Sequence, residues 1–356
     1  MTTSFLVIER TGYAVIQDLG RPGCAEIGIP ANGATDHHAA RTANILVGNA
    51  DTAPLVEATG SELAVVAGSD LLISVTGAAE HVLVDGHRQP AWETLAVFRG
   101  SRITVPTGAT GFRSYLAVNG HIKSELELGS VAPDHILGVG RRLTRGDHVD
   151  ISTAYAAHPS DWYAPLFRLG ASRPHLSSVA TIEATLGPDV ERIKGGLDVL
   201  SSPYEVSKQS DHIGLRLFGP AIEQTTNVEI LSRGVPVGAI EVPPTGGIIM
   251  LLRGRLVTAG YPVVGIVTSE SLDRLGQVRP GDFVHVTSCD LETARARLLA
   301  KDRQRGELAT RVGAAFSSSG LGDIVDPVHR SNRCGGRRGD HVAAAVTACG
   351  VPARLR

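Results

Sequence analysis

Short apolar runs closed by glycine dominate the first 120 residues. FLVIE, AVIQD, ELAVVAG, DLLISVTG, HVLVDG, LAVFRG, SRITVPTG and FRSYLAVNG follow in close order, and Gly or Asp-Gly ends nearly every one. Runs of this length, rich in Val, Ile, Leu and Phe and punctuated by turn residues, predict antiparallel strands of a barrel or sandwich. One segment breaks the pattern. In TDHHAARTANILVGN, Ala39, Ala40, Ala43, Leu46 and Val47 fall on one helical face, Thr35 or Asp36 stands at the cap position, and Gly48-Asn49 stops the helix. His37 and His38 are adjacent there and do not share a face, which argues against a metal pair; one caps and one is exposed in this reading.

Between 121 and 150 the pattern loosens into LGSVAPDHILGVGRRLTRGD, and residues 155–178 carry three prolines and no clean period. A second β-rich block follows over 179–288: ATIEATLG, YEVS, LRLFG, NVEILS, AIEVP, GIIMLL, YPVVGIVTS and DFVHVTS, with a short helix, SLDRLGQV, before the RPGD turn. After 290, Leu291, Ala294, Leu298 and Leu299 recur at helical spacing, and the last thirty or so residues have no usable period. The expected architecture is mainly β with few short helices: a β domain at 1–154, a linker at 155–178, a second β domain at 179–290, and a helix with a weakly ordered tail at 291–356.

Composition narrows the function classes. The chain has 356 residues, 42% hydrophobic and 20% charged, enough for two ordinary cores. Its net charge of −2 and 4% aromatics offer neither a basic field nor stacking platforms for nucleic acid. Four cysteines show no metal-like spacing, the first residues lack the basic and apolar regions of a signal peptide, and no apolar stretch is membrane-long. These features predict a cytoplasmic protein with no metal and no membrane partner. Zinc-protease, phosphate-loop, nucleophile-elbow and calcium-loop motifs are absent.

Polar clusters at strand ends remain as candidate chemistry. In QDLGRPG, Gln17 and Asp18 end a strand, and Arg21 is either a solvated turn residue or a rigid fork for a carboxylate. GIPANGATD places Asn32 and Asp36 between a tight turn and a helix N-terminus, read either as a plain junction or as an anion or carbonyl site. In SKQSDHIG, Gln209 and Ser210 suit an amide or ureido group, and Asp211 and His212 suit proton exchange; a polar hairpin entry explains the same run. The Gly- and Pro-dense stretch 234–262 contributes Thr258, Gly260 and Tyr261 at a strand-to-strand turn, or else two plain hairpins.

Taken in order, VIQDLGRPG, GIPANGATD, ANILVGN, VEATGSELAV, SYLAVNG, YEVSKQSDHIGLRLFGP, GVPVGAIEVPPTG and TAGYPVVGIVTSESLDRLGQVRPGD resemble one family from about residue 7 to 290. It is the biotin-dependent carboxyltransferase-like family that includes the C subunit of 5-oxoprolinase (KipA-like proteins), proteins labelled allophanate hydrolase subunit 2, and part of the urea carboxylase carboxyltransferase domain. The resemblance implies two cyclophilin-like β-barrels. It also implies work within a complex: a KipI-like B component, an A component of the lactam-utilisation type, ATP used through the complex, and lactam opening of 5-oxoproline to glutamate. Two alternatives go with it. One is carboxyl transfer in a urea carboxylase system, with biotin on a separate carrier because this chain has no Met-Lys-Met. The other is a non-catalytic KipA-like binding protein. On the main reading Arg21, Gln209, Ser210 and Asp211 act on a small amide substrate, bounded by Gln17, Asn32, Asp36, His212, Glu241, Thr258 and Tyr261. The chain departs from the family pattern at His212, which stands for an Arg, at Glu241 for a Gln, and at Gly254 for an Asp.

Overall fold

The alternating runs of the first 153 residues pair into two sheets that share one apolar interior. In the computed structural model, which describes residues 2–135, 137–153, 155, 168–226 and 229–318, seven strands form one sheet. Their order is His121–Ile122, His148–Thr153, Thr2–Thr11, Leu63–Ala67, Arg102–Val105, His81–Val84 and His87–Pro90. Five form the other, in the order Ala14–Gln17, Leu55–Thr59, Arg113–Val118, Leu71–Gly77 and Thr94–Val97. Leu6, Ile8, Val65 and Ile103 of the first sheet meet Val56, Ile73, Val75 and Leu116 of the second, all buried. Each such side chain removed from water contributes about 1.5–3 kcal/mol before entropy is counted.

Strand Leu71–Gly77 is buried at every position, because its other face is covered by a helix. That helix, α1 (His37–Leu46), has its cap oxygen from Asp36, whose Oδ1 accepts the Ala39 N–H at 2.9 Å. The small residues Ala39, Ala40 and Ala43 bring the helix backbone close to the sheet, where Thr76 Oγ1 donates to Ala39 O at 2.7 Å. Trp92 and Tyr115 complete this second layer.

The second β-rich block closes completely. Strands Val179–Leu186, Val263–Val267, Ala239–Glu241, Ile248–Leu251, Gly214–Phe218, Tyr204–Val206 and Phe283–Ser288 form a seven-stranded barrel. Closure comes from the parallel pairing of Val179–Leu186 with Phe283–Ser288, which leaves no open edge. Ile182, Leu217, Ile240, Met250 and Val284 fill its interior. The predicted strand NVEILS does not form: residues 227 and 228 lie outside the described set, and 229–232 run as irregular chain with Leu231 91% exposed. An apolar run that finds no partner strand gains nothing from extension.

Helix α2 (Ser269–Leu275) is capped by Thr268 and leads into the last barrel strand. Helix α3 (Leu291–Ser318) is 28 residues long, not short. Its predicted apolar face, Leu291, Leu298 and Leu299, is largely exposed; the buried face is Leu308, Val312 and Phe316. Those three repeat every four residues and dock on Ile45, Leu46 and Leu72 of the first sheet unit. The helix thus starts at the barrel and ends on the first half. Gly48, at φ +76°, both ends α1 and leaves room for the Phe316 ring, whose Cε2 a Cβ there would meet at 2.3 Å. No helix among the described residues is long and apolar enough to cross a membrane.

Part of the segment predicted as a linker is sheet-bound: Leu169 O accepts the Thr94 N–H at 2.8 Å and Ala171 N donates to Trp92 O at 2.9 Å. Residues 156–167 and the predicted tail, 319–356, lie outside the described residues.

Phe316→Ala is expected to cost about 3–5 kcal/mol, the usual range for emptying a buried aromatic site, read as a lower urea midpoint. An unchanged midpoint would show that α3 docks without contributing to the cooperative unit.

Candidate functional site

The turn QDLGRPG is the local origin of the site. Asp18 folds the chain around itself: Oδ1 accepts from Gly20 N at 2.7 Å and from Ser130 Oγ at 2.6 Å, and Oδ2 from Val131 N at 3.0 Å. Arg21 is 1% exposed. Its guanidinium donates to Glu127 O, to Ala132 O and to Asp134 Oδ2, the last at 3.4 Å. The same Asp134 oxygen accepts from Asn32 Nδ2 at 2.5 Å, holding Asn32 in its left-handed conformation of φ 53°. Arg21 is therefore a strut that fixes loop 127–135 and Asn32. It does not face a ligand space, because its N–H groups are consumed by buried acceptors.

The two halves meet through α2 and the turn after it. Gln277 Oε1 accepts the N–H groups of Phe112 and Arg113, both at 3.0 Å, while Nε2 donates to Asp36 Oδ2 at 2.7 Å and to Arg113 O at 3.1 Å. Arg113 returns a guanidinium bond to Gly276 O. Gly276 lies so near that a Cβ would be 2.9 Å from Thr35 C. Asn32 N donates to Arg253 O at 3.1 Å, a further bond across the junction.

Below this clasp lies a cleft of about 400 Å³ with walls from both halves. The first half supplies Gln17, Asn32, Thr35, Glu57, Arg113 and His135, with Tyr13 and Phe112 as aromatic walls; the second supplies Ser210, Asp211, His212, Leu215, Gly254 and Val278. His135 and His212 face each other across it, ring centroids 4.8 Å apart and inclined at 58°. Gly254 leaves the space that His212 occupies: a Cβ there would stand 2.4 Å from His212 Cδ2. Of the residues singled out in the sequence, the structure brings together Gln17, Asn32, Ser210, Asp211 and His212.

The others lie elsewhere. Gln209 is exposed and bonds only through its backbone N–H, to Ser207 Oγ at 3.0 Å. The run SKQSDHIG is largely a self-capped turn: Ser210 Oγ accepts from Arg216 N at 3.0 Å, and Asp211 Oδ1 from Ile213 N at 2.8 Å and Gly214 N at 3.2 Å. One side of that turn, ending in His212, reaches the cleft. Asp36 is turned to a different cavity, behind the clasp. Thr258 sits in a two-stranded ribbon, paired with Gly234, and Tyr261 follows it, 40% exposed. Glu241 points to the outer side of the barrel, among Ala239, Leu251 and Val263, because its neighbours Ile240 and Val242 take the interior positions. His37 and His38 are both half-buried, and His38 packs on Trp92 at 5.7 Å.

Glu57, Arg113, His135 and Gln277 were missed in the sequence. A signal existed for two of them: Glu57 and Arg113 are charges set inside otherwise apolar strands, an arrangement that costs free energy unless they are paired. They stand 3.8 Å apart, each side chain 7% exposed. Burial pushes the Glu57 carboxyl up, against the pull of Arg113, Tyr115, Thr59 and the Thr35 amide. Burial pushes His212 down, opposed by Asp211. One buried acceptor atom of the lining, Gln17 Oε1, makes no hydrogen bond. Among the described residues no group of three or more His, Cys, Asp or Glu side chains is placed to hold a metal.

A polar cleft between a closed β-barrel and a two-sheet β unit, tied by α2, defines the class of this protein as a double-β architecture. The family model described as carboxyltransferase domain, subdomain A and B, matches residues 27–288, and the chain belongs to that family. It is 32% identical over 314 residues to the 5-oxoprolinase C subunit of Escherichia coli, covering 86% of this chain and 98% of that one. It is 27% identical over 314 residues to urea amidolyase of Saccharomyces cerevisiae, covering 82% of this chain but 17% of that one. The solved urea amidolyase of Kluyveromyces lactis shares the fold, with a TM-score of 0.77 at 22% identity, over 86% of this chain and 20% of that one.

Two outcomes follow. Arg21→Ala leaves Asp134 buried without its cation and is expected to cost about 3–5 kcal/mol of stability, measured by urea unfolding; a loss of activity with full stability would return Arg21 to the cleft. Glu241 is 2% exposed, and burial raises its carboxyl to about 7 from 4.5. The unfolded chain releases that proton at lower pH than the folded one, so stability falls as pH rises from about 4.5 to about 7, by about 3 kcal/mol in total. In Glu241→Gln this part of the pH dependence should vanish, raising the urea midpoint at pH 8 relative to pH 5 compared with the parent. Parallel profiles would mean that Glu241 is ionised in the fold.

Proposed function

We propose that this chain is the C-type component of an ATP-dependent 5-oxoprolinase, and that the cleft between its two halves holds the lactam. The observation that carries this reading is the buried acceptor Gln17 Oε1, on a residue that lines the cleft and with no hydrogen-bonded donor to meet it. A buried acceptor without a donor costs about 1–3 kcal/mol, which a ligand offering planar N–H groups recovers. A lactam offers one such N–H beside a carboxylate, and Arg113 and the two histidines supply the cationic and hydrogen-bonding side for that carboxylate. Glu57, raised by burial, is the group best suited to hold a proton next to the ring nitrogen, which must gain one when the C–N bond opens. The near-complete match to a relative named as the C subunit of 5-oxoprolinase, against 17% coverage of a urea amidolyase, supports the oxoprolinase reading over the carboxylase one.

On this reading the chain acts with a KipI-like B component and an A component of the lactam-utilisation type. ATP belongs to the complex; this chain carries no phosphate-loop motif. In the carboxyl-transfer alternative, a biotin borne on a separate carrier would present a ureido N–H group to the same Gln17 acceptor. In the binding-module alternative, the complex forms and turns nothing over.

The test is co-purification with both partner types, followed by ATP-dependent glutamate release from 5-oxoproline. Gln17→Ala is expected to lower kcat/KM at least tenfold, with folding retained. Carboxylation of urea by a biotinylated carrier, without glutamate release, would replace this reading with the alternative.

A further inference from the structure

A second cavity, of about 550 Å³, lies behind the clasp. It is not continuous with the cleft in its lining. Asp36 and Gln277, bonded to each other at 2.7 Å, face this side, while Thr35 and Val278 next to them face the cleft. Helix α3 roofs it, α2 forms one flank, and the rings of His38 and Trp92 form an apolar end.

The charges around it divide into two groups. Lys301 Nζ is spent on Asp273 Oδ2 at 2.8 Å, and Asp273 Oδ1 accepts the His37 N–H at 2.9 Å. Arg297 is bonded to Glu183 and feels the Glu270 carboxylate more weakly, without an ion-pair contact to it. That leaves Glu270 and Arg274, both lining the cavity from α2. At i and i+4, with the acid N-terminal, they hold the arrangement that usually pairs on a helix surface. Among the described residues neither has an ion-pair partner, and Arg274 makes one bond, from its NH1 to Thr181 O at 2.8 Å. One carboxylate and one guanidinium, the latter exposed at the cavity mouth, therefore line the same space with no ion pair between them.

We infer that this cavity is a binding site for an α-amino acid zwitterion, with the ligand carboxylate on Arg274, its ammonium on Glu270, and its side chain toward Trp92 and His38. The planar guanidinium fork matches a carboxylate in bidentate geometry, whereas a lone ammonium would not. A neutral pair of protein charges selects a ligand that is itself neutral overall but charge-separated, and disfavours a phosphate ester, whose excess negative charge would face Glu270 and Asp273. Burial holds the His38 imidazole neutral, with its pKa lowered to about 4, so it adds no cation to Arg274, Arg297 and Lys301. The volume falls within the range of small-molecule sites. Nothing in this inference uses the reaction proposed for the cleft.

Calorimetric titration of the full chain with the twenty L-amino acids, one at a time, tests it. At least one should bind with Kd below about 1 mM. Arg274→Ala and Glu270→Gln, both changes at the cavity rim, should each weaken that ligand at least tenfold, and its N-acetylated and carboxamide derivatives should lose binding. Gln17→Ala, a change in the cleft, should leave the Kd unaltered. The inference is overturned if no amino acid binds, if the N-acetylated form binds as well as the parent, or if Gln17→Ala rather than Arg274→Ala removes binding.

Discussion

One amide side chain holds the functional geometry together. Each half of the molecule has its own apolar interior, and the two interiors do not merge. What joins them near the cleft is polar: Gln277 uses both acceptor sites of its oxygen and both N–H groups on Phe112, Arg113 and Asp36. A buried amide with every hydrogen bond made is held in one rotamer, since any rotation leaves several groups unpaired at once. That rotamer sets how far segment 112–113 stands from the end of α2. It also sets the width of the cleft on one side and the back wall of the second cavity on the other.

Burial of charge is concentrated around this junction. Glu57, Arg113 and Asp36 are each at most 5% exposed, and Asp36 is raised to about 7 by burial and by the neighbouring Asp273. A fold selected for stability alone would place apolar residues of similar volume there. The concentration of such groups between two rigid β units is what a site requires, because the sheets hold the side chains in place while the junction supplies the recess. Arg21 belongs to the supporting layer of the same construction. It holds Asp134, Asp134 holds Asn32, and Asn32 faces the cleft.

The strands, the capped α1 and the mainly β class were legible from alternation and turn residues, since each depends on neighbours a few positions away. Asp36 as the cap of α1 and Gly48 as its stop are of this kind. Gln17, Asn32 and Ser210 to His212 were also legible as polar groups at strand ends, and they do share one cleft. The buried face of α3 is not legible in the sequence because two apolar patterns lie on one helix, and only the docking of Leu308, Val312 and Phe316 on the first half selects between them.

Alternation, caps and turn chemistry settled most of the strands and α1, and so the double-β character of the chain, but not the fate of NVEILS, which found no partner strand. Which polar residues face one another was decided in three dimensions. Arg21 meets Asp134 across 113 residues and Gln277 meets Asp36 across 241. No local pattern encodes such separations, because the hydrogen-bonding capacity of an Arg or a Gln is the same wherever it stands. Only the packing of the two sheet units against each other determines whether that capacity is used up inside the protein or left for a ligand.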